Sequence, residues 1–163
     1  VDGRPFLVGS LARVNLSWDR LLPAARVVAS KAGLRTGSRN TFHNNLCQAV
    51  ELVDAAERCA LLCERLTAEQ GTSTPVPFAI KAGTGTGATE APRGTLYHTI
   101  SMDDDGTVTA GNVITPTAQN LANLEADMRK FAPTISLLDE PEFVLSIERL
   151  VRAYDPCLSC AVH

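Results

Sequence analysis

From Phe42 through Leu46, Val50, Val53, Ala56, Ala60 and Cys63, apolar residues recur every three or four positions, with Glu51, Asp54, Glu57, Arg58 and Glu64 among them. That is the period of a helix with one apolar stripe, and it predicts a long amphipathic helix packed on something. A mixed but helix-compatible pattern covers about Asp19 to Ala32, where Leu21, Leu22, Ala25, Val27, Val28 and Ala32 follow one another and Pro23 suits the first turn. Thr117 is a candidate N-cap for a helix carrying Leu121, Leu124, Met128 and Phe131. Pro141 opens another with Phe143, Val144, Ile147, Leu150 and Val151, ending at Tyr154, just before Asp155-Pro156-Cys157.

Between these helices the pattern changes. Residues Gln70 to Gly94 are dense in Gly, Thr and Pro, which breaks helical periodicity and predicts irregular backbone around a short strand at Pro77 to Ala82. The following run, TLYHTISMDDDGTVTAGNVIT, reads as two β-rich stretches joined at Asp104-Asp105-Gly106, a turn signal of the Asp-Gly type, and predicts a hairpin. The fold class expected is α+β and mainly α-helical, with a small β hairpin region, over residues 1–163 as a single domain. Cys47, Cys59 and Cys63 lie on or near the apolar side of the long helix and read as small core hydrophobes.

Composition narrows the function. With 163 residues, 45% of them hydrophobic, the chain is long enough for one real core. Fifteen Lys and Arg against eighteen Asp and Glu, no basic run, and five Phe, two Tyr and one Trp offer no surface for phosphates or stacked bases, so nucleic acid is not an expected partner. No apolar stretch of membrane-spanning length occurs, and VDGRPFLVGS has neither a twin-arginine signal nor a charged-then-apolar leader, so a cytoplasmic protein is expected. Five cysteines fit reduced thiols, core packing or metal ligation better than a disulfide framework.

Cys157-Leu158-Ser159-Cys160, followed by Ala161-Val162-His163, puts two soft thiolates on one tight turn with an imidazole close behind. By itself a CxxC is shared by structural zinc, redox and other metal sites. Two other glycine- or acid-rich stretches carry less. Gly83 to Gly87 has the glycine density of a nucleotide loop but no following Gly-Lys-Ser/Thr, and Asp103-Asp104-Asp105-Gly106 lacks the later ligands of a calcium loop, so a hairpin turn is expected there.

The ending DPCLSCAVH resembles the C-terminal motif of the nickel-iron hydrogenase large subunit, in which Asp-Pro precedes a CxxC and maturation cleaves the chain after a residue that is usually histidine. EAPRGTLYH, residues 90–98, resembles the EAPRG block of that family, and TPTAQN, residues 115–120, its Pro-Ser/Thr segment before a helix. Weaker likeness in GSLARVNL and HNNLCQAVEL extends the resemblance over nearly the whole chain, closest to the cytoplasmic, bidirectional enzymes. Three ordered motifs are jointly specific where one would be only a hypothesis.

The resemblance implies reversible dihydrogen oxidation at a nickel-iron centre whose iron carries cyanide and carbon monoxide. It makes Cys157 a terminal thiolate on nickel and Cys160 a thiolate bridging nickel and iron, a suitable softness for both metals. It sets Arg93 beside the cluster as a catalytic and cofactor-binding residue, with Pro92 and Thr117 near the diatomic ligands; cyanide nitrogen accepts hydrogen bonds from a guanidinium or a hydroxyl. His163, with a backbone carbonyl near Val113, is implied as a magnesium ligand. Taken alone, Arg93 would be an ordinary ion-pair arginine and Thr117 an ordinary cap. Glu90 reads either as a local hydrogen-bond acceptor or as a residue supporting the metal ligands.

A complete large subunit also has an N-terminal CxxC in an RxCGxC setting, and no such motif occurs in these residues. The expectation is therefore that the other two thiolates, and the family's proton-relay glutamate, come from an N-terminal half on another chain. An iron-sulfur small subunit is implied as the electron partner, with a diaphorase or other acceptor module beyond it. Two alternatives stand beside this reading: a non-catalytic subunit of the same fold, which the retained cysteines oppose, and a small structural zinc module, which zinc without nickel or iron would support.

Overall fold

The computed structural model describes residues 3–68 and 75–157. Helix α1, Ser10–Leu16, leads through a 3-10 turn at Trp18–Arg20 to α2, Pro23–Lys31, and a second 3-10 turn at Thr41–His43 opens the long α3, Asn44–Ala68. Strands β1 (Gly83–Ala91), β2 (Gly94–Met102) and β3 (Val108–Ile114) follow, then α4 (Pro116–Phe131), a 3-10 turn at Ala132–Ile135, and α5 (Glu140–Tyr154).

The core forms where α1, α2 and the first half of α3 meet. Leu11 and Val14, Leu21, Ala25 and Ala29, Leu34, and Cys47 with Val50 are buried together, and Leu7, Trp18, Val28 and Val53 pack on them. Ala25 and Ala29, one turn apart and fully buried, let α2 approach α3 closely. Buried Asn44 joins three elements: its Oδ1 accepts from the Leu11 N–H at 3.0 Å and its Nδ2 donates to the Ala153 carbonyl at 2.9 Å. Asp127 accepts from both the Thr41 hydroxyl at 2.8 Å and the Tyr154 hydroxyl at 2.6 Å, which ties α4 to the end of α5.

The long helix, the hairpin and the two C-terminal helices lie where the apolar spacing expects them. Asp103 makes the hairpin turn, its Oδ1 accepting from the N–H groups of Asp105 and Thr107 at 3.0 and 2.9 Å, with Gly106 at φ 82°. The structure corrects five details. The extra strand is β1 at Gly83–Ala91, not Pro77 to Ala82; the GTGTG stretch becomes a strand because it pairs along β2 from Gly83 opposite Met102 to Ala91 opposite Gly94. Cross-strand hydroxyl pairs, Thr84 with Ser101 at 2.7 Å and Thr86 with Thr99 at 2.9 Å, supply what the glycines lack in side chains. Helix α1 was not expected, because its seven residues are too few to show a period. The Asp19 to Ala32 segment divides at extended Leu22.

The cap of α4 is Thr115, whose Oγ1 accepts from the Ala118 N–H at 3.2 Å, so Thr117 is left inside the first turn for another use. Cys59 and Cys63 are exposed rather than in the core, since only Asn44, Cys47 and Val50 of α3 are buried, and Leu61, Leu62 and Leu66 further along the helix are exposed as well. Among the described residues no helix is long and apolar enough to cross a membrane.

Candidate metal centre

Helix α5 stops abruptly. Asp155 caps it in the left-handed conformation, φ 47° and ψ 59°, and Pro156 has no N–H with which to continue a helix. The chain is thereby turned toward the first turn of α4, where the Cys157 N–H donates to Thr117 Oγ1 at 2.8 Å and Cys157 is buried. Placing a cysteine at the end of a capped helix, with its amide hydrogen-bonded to a neighbouring helix, orients the thiol on a rigid frame.

Arg93 reaches the same place from the sheet. It occupies the tight turn between β1 and β2, and its Nε lies 3.1 Å from Asp155 Oδ1. The contact is an ion pair without hydrogen-bond alignment, since this buried Nε has no hydrogen-bond partner. Two glycines make that placement possible. Gly9, at φ 108°, passes so close that a Cβ there would lie 2.8 Å from the Arg93 carbonyl oxygen, and a Cβ on Gly94, at φ 136°, would lie 2.5 Å from Val8 Cγ2. Asn120 fixes the crossing by accepting from the Val8 N–H at 2.8 Å and donating to the Val8 carbonyl at 3.2 Å. Gln119 next to it donates to the Thr95 carbonyl at 2.6 Å.

Arg13 secures the residues just before Arg93. Its guanidinium bridges both oxygens of Glu51 at 2.7 Å, pairs with Glu90, and donates to the carbonyls of Ala91 at 3.0 Å and Pro92 at 2.6 Å. Burial opposes the Arg13 charge, yet hydrogen bonds and Coulomb attraction from Glu51 and Glu90 outweigh it and raise its pKa above the ordinary value. Glu90 thus ties Arg13 to the Thr95 hydroxyl, a supporting role within the loop. Gln48 on α3 donates to Asp155 Oδ2 at 2.7 Å. Deeper in α3, burial first and the nearby Glu51 carboxylate second push the Cys47 thiol up to about 11. That thiol is therefore a neutral core group.

Of the residues singled out from the sequence, Arg93 pairs with Asp155, Pro92 lines a cavity with Asp155, and Thr117 is hydrogen-bonded to Cys157, two residues beyond Asp155. Val113 lies on β3 opposite His98, and the contacts just described do not include it. Cys160 and His163 lie outside the described residues. Among the described residues no group of three His, Cys, Asp or Glu is placed to hold a metal ion, so a centre on Cys157 needs ligands from beyond them. Sequence reasoning gave no role to Arg13, Gln48 or Asp155. For Asp155 the signal was present, an Asp-Pro directly after a helical pattern; for Arg13 and Gln48 nothing local marks them.

Comparison with known proteins shows the family to which the chain belongs. Residues 2–163 match the sequence model of the nickel-dependent hydrogenase family. The chain is 39% identical over 162 residues to the alpha subunit of sulfhydrogenase 1 from Pyrococcus furiosus, covering 99% of this chain and 37% of that protein. It is 36% identical over 165 residues to the beta subunit of the NAD-reducing hydrogenase HoxS from Cupriavidus necator, covering 96% of this chain and 33% of the relative. Among solved structures, an NAD+-reducing [NiFe]-hydrogenase in the H2-reduced state superposes with a TM-score of 0.74 at 29% identity, over 98% of this chain and 36% of the other. A nickel-iron-selenium hydrogenase of Desulfovibrio vulgaris Hildenborough, at 22% identity and a TM-score of 0.61, shares the fold. The chain thus spans between a third and two-fifths of the length of the curated relatives just described.

Proposed function

Because the chain belongs to the nickel-dependent hydrogenase family, we propose that it forms the part of a hydrogenase large subunit that contributes Cys157 and Cys160 to a nickel-iron centre, and that the whole protein oxidises dihydrogen reversibly. The observation that carries the proposal is the convergence of three sequence-distant segments: the Arg93 turn, the first turn of α4 at Thr117, and the Asp155–Cys157 end of α5.

The residues present suit the group. Cys157 is a buried residue whose backbone N–H is held by Thr117, and a thiolate there is a soft ligand of the kind that nickel and iron take. The partly buried guanidinium of Arg93, with an Nε that no hydrogen bond satisfies, suits an anionic acceptor such as a cyanide nitrogen. The bound centre supplies heterolytic splitting of dihydrogen, the metals acting as Lewis acid. This chain's own residues do the positioning. Thr117 holds the Cys157 amide, Asp155 draws the Arg93 guanidinium to its place, and Arg93 presents charge where a base or diatomic ligand needs it.

The finer proposals follow the family resemblance. Cys160 is the second thiolate, His163 with the Val113 carbonyl holds magnesium, and Pro92 and Thr117 border the cyanide and carbon monoxide ligands. The other two thiolates come from the part of the large subunit that these residues do not span. Electrons leave through iron-sulfur clusters of a small subunit toward an acceptor module, and the assembly works in the cytoplasm. The test is metal analysis of the isolated complex together with infrared spectroscopy. Nickel and iron with bands of iron-bound cyanide and carbon monoxide support the proposal; zinc alone, with no such bands, overturns it in favour of a structural zinc module.

A further inference from the structure

Asp155 is held from two sides. Its Oδ1 faces Arg93 Nε at 3.1 Å, and its Oδ2 accepts from Gln48 Nε2 at 2.7 Å. The two contacts differ in quality, because the Arg93 contact lacks hydrogen-bond alignment while the Gln48 bond is short. The terminal torsion of an aspartate is broad and settles wherever its best partner holds it. Gln48, not Arg93, therefore sets the plane of this carboxylate.

Gln48 is well placed for that task. It stands in the part of α3 that Asn44, Cys47 and Val50 bury, so the amide projects from a fixed stretch of helix, unlike the exposed turns further on. It borders a cavity of about 640 Å³ that Asp155 and Pro92 also line. The charged side chains of that cavity are engaged elsewhere: Arg13 with Glu51 and Glu90, and Arg58 with Asp54. From α3, Gln48 donates to Asp155.

We propose that Gln48 is a positioning residue for the metal site, locking Asp155 and, through it, the guanidinium of Arg93. The proposal rests on the reading that Arg93 stands over the nickel-iron centre. It concerns a residue outside the three motifs that carry the resemblance, on an element that supplies no ligand.

The test uses the purified holoenzyme carrying Gln48→Leu or Gln48→Lys. Leucine keeps the bulk and removes the donor; lysine restores a donor of sufficient reach. The expected result for Gln48→Leu is parental nickel and iron content, an unchanged KM, a kcat lowered about tenfold or more, and cyanide bands shifted or split as Arg93 loses its single orientation. For Gln48→Lys, kcat and band positions should return to within about threefold and close to the parent. Parental kcat with unshifted bands in Gln48→Leu would overturn the proposal. So would loss of metal in both variants, which would mark Gln48 as structural. Absence of nickel, iron and the bands from the parent itself would instead overturn the reading on which the proposal rests.

Discussion

The Cys157 N–H and the Thr117 hydroxyl meet at 2.8 Å across 40 positions of sequence, so the start of α4 and the end of α5 are joined at the candidate ligand itself. With Thr115 as the cap of α4, the Thr117 hydroxyl is released to accept this bond. Thr117→Val keeps the shape and removes the acceptor, leaving a part-buried N–H unsatisfied. The expected cost is about 1–3 kcal/mol in stability, read by denaturant titration, with lower nickel content, while Thr117→Ser stays near the parent. Equal nickel content and stability in Thr117→Val would show that the bond does not organise the ligand.

Cys157→Ser and Cys160→Ser should each abolish nickel retention and dihydrogen uptake. A serine hydroxyl is harder and far less acidic than a thiol, so it cannot take the place of a thiolate on these metals. Metal analysis of both variants checks this, and normal nickel with normal uptake would refute the ligand assignment.

Arg93→Lys keeps a positive charge beside Asp155 but loses the planar fork. The centre should assemble with parental metal content while turnover falls by roughly a hundredfold, the scale of a misplaced catalytic contact. Steady-state dihydrogen oxidation measures it; parental turnover would reduce Arg93 to a structural ion pair.

The Gly9 crossing gives a steric prediction. A Cβ at this position would stand 2.8 Å from the Arg93 carbonyl, a backbone atom that cannot swing aside, and Gly9 has φ 108°. Gly9→Ala should cost about 3 kcal/mol or more and should impair turnover by displacing the Arg93 turn. Thermal unfolding and kcat together test it, and an alanine variant like the parent in both would contradict the close approach.

Cys47 provides the pH prediction. Its folded pKa, about 11, is above its ordinary value of 9.0, because burial and then Glu51 oppose the thiolate. The folded state thus holds its proton to higher pH than the unfolded chain. The stability that this group contributes is fully present below about pH 9 and is lost as pH rises toward 11. Iodoacetamide at pH 8 should leave Cys47 unmodified in the native protein and label it after unfolding, as mass spectrometry would show. Fast native labelling would contradict a buried neutral thiol.

What the sequence determined by itself was what is written in local period and in contiguous motifs. The α3 stripe, the Asp-Gly turn at Asp103–Gly106, the Pro141 start of α5 and the DPCLSC ending each have their physical cause within a few residues, so they are legible without a fold. Tertiary structure decided everything that depends on a partner far along the chain. GTGTG is a strand only because β2 lies beside it, and Cys59 and Cys63 follow the apolar period yet lie exposed because α3 outruns the core. Thr117 serves Cys157, Arg13 clamps the 90–92 segment, and Gln48 holds Asp155 through contacts 40, 77 to 79 and 107 positions apart. Such contacts leave no local period, because a hydrogen bond between distant residues constrains only their positions in space and not the residues on either side of them.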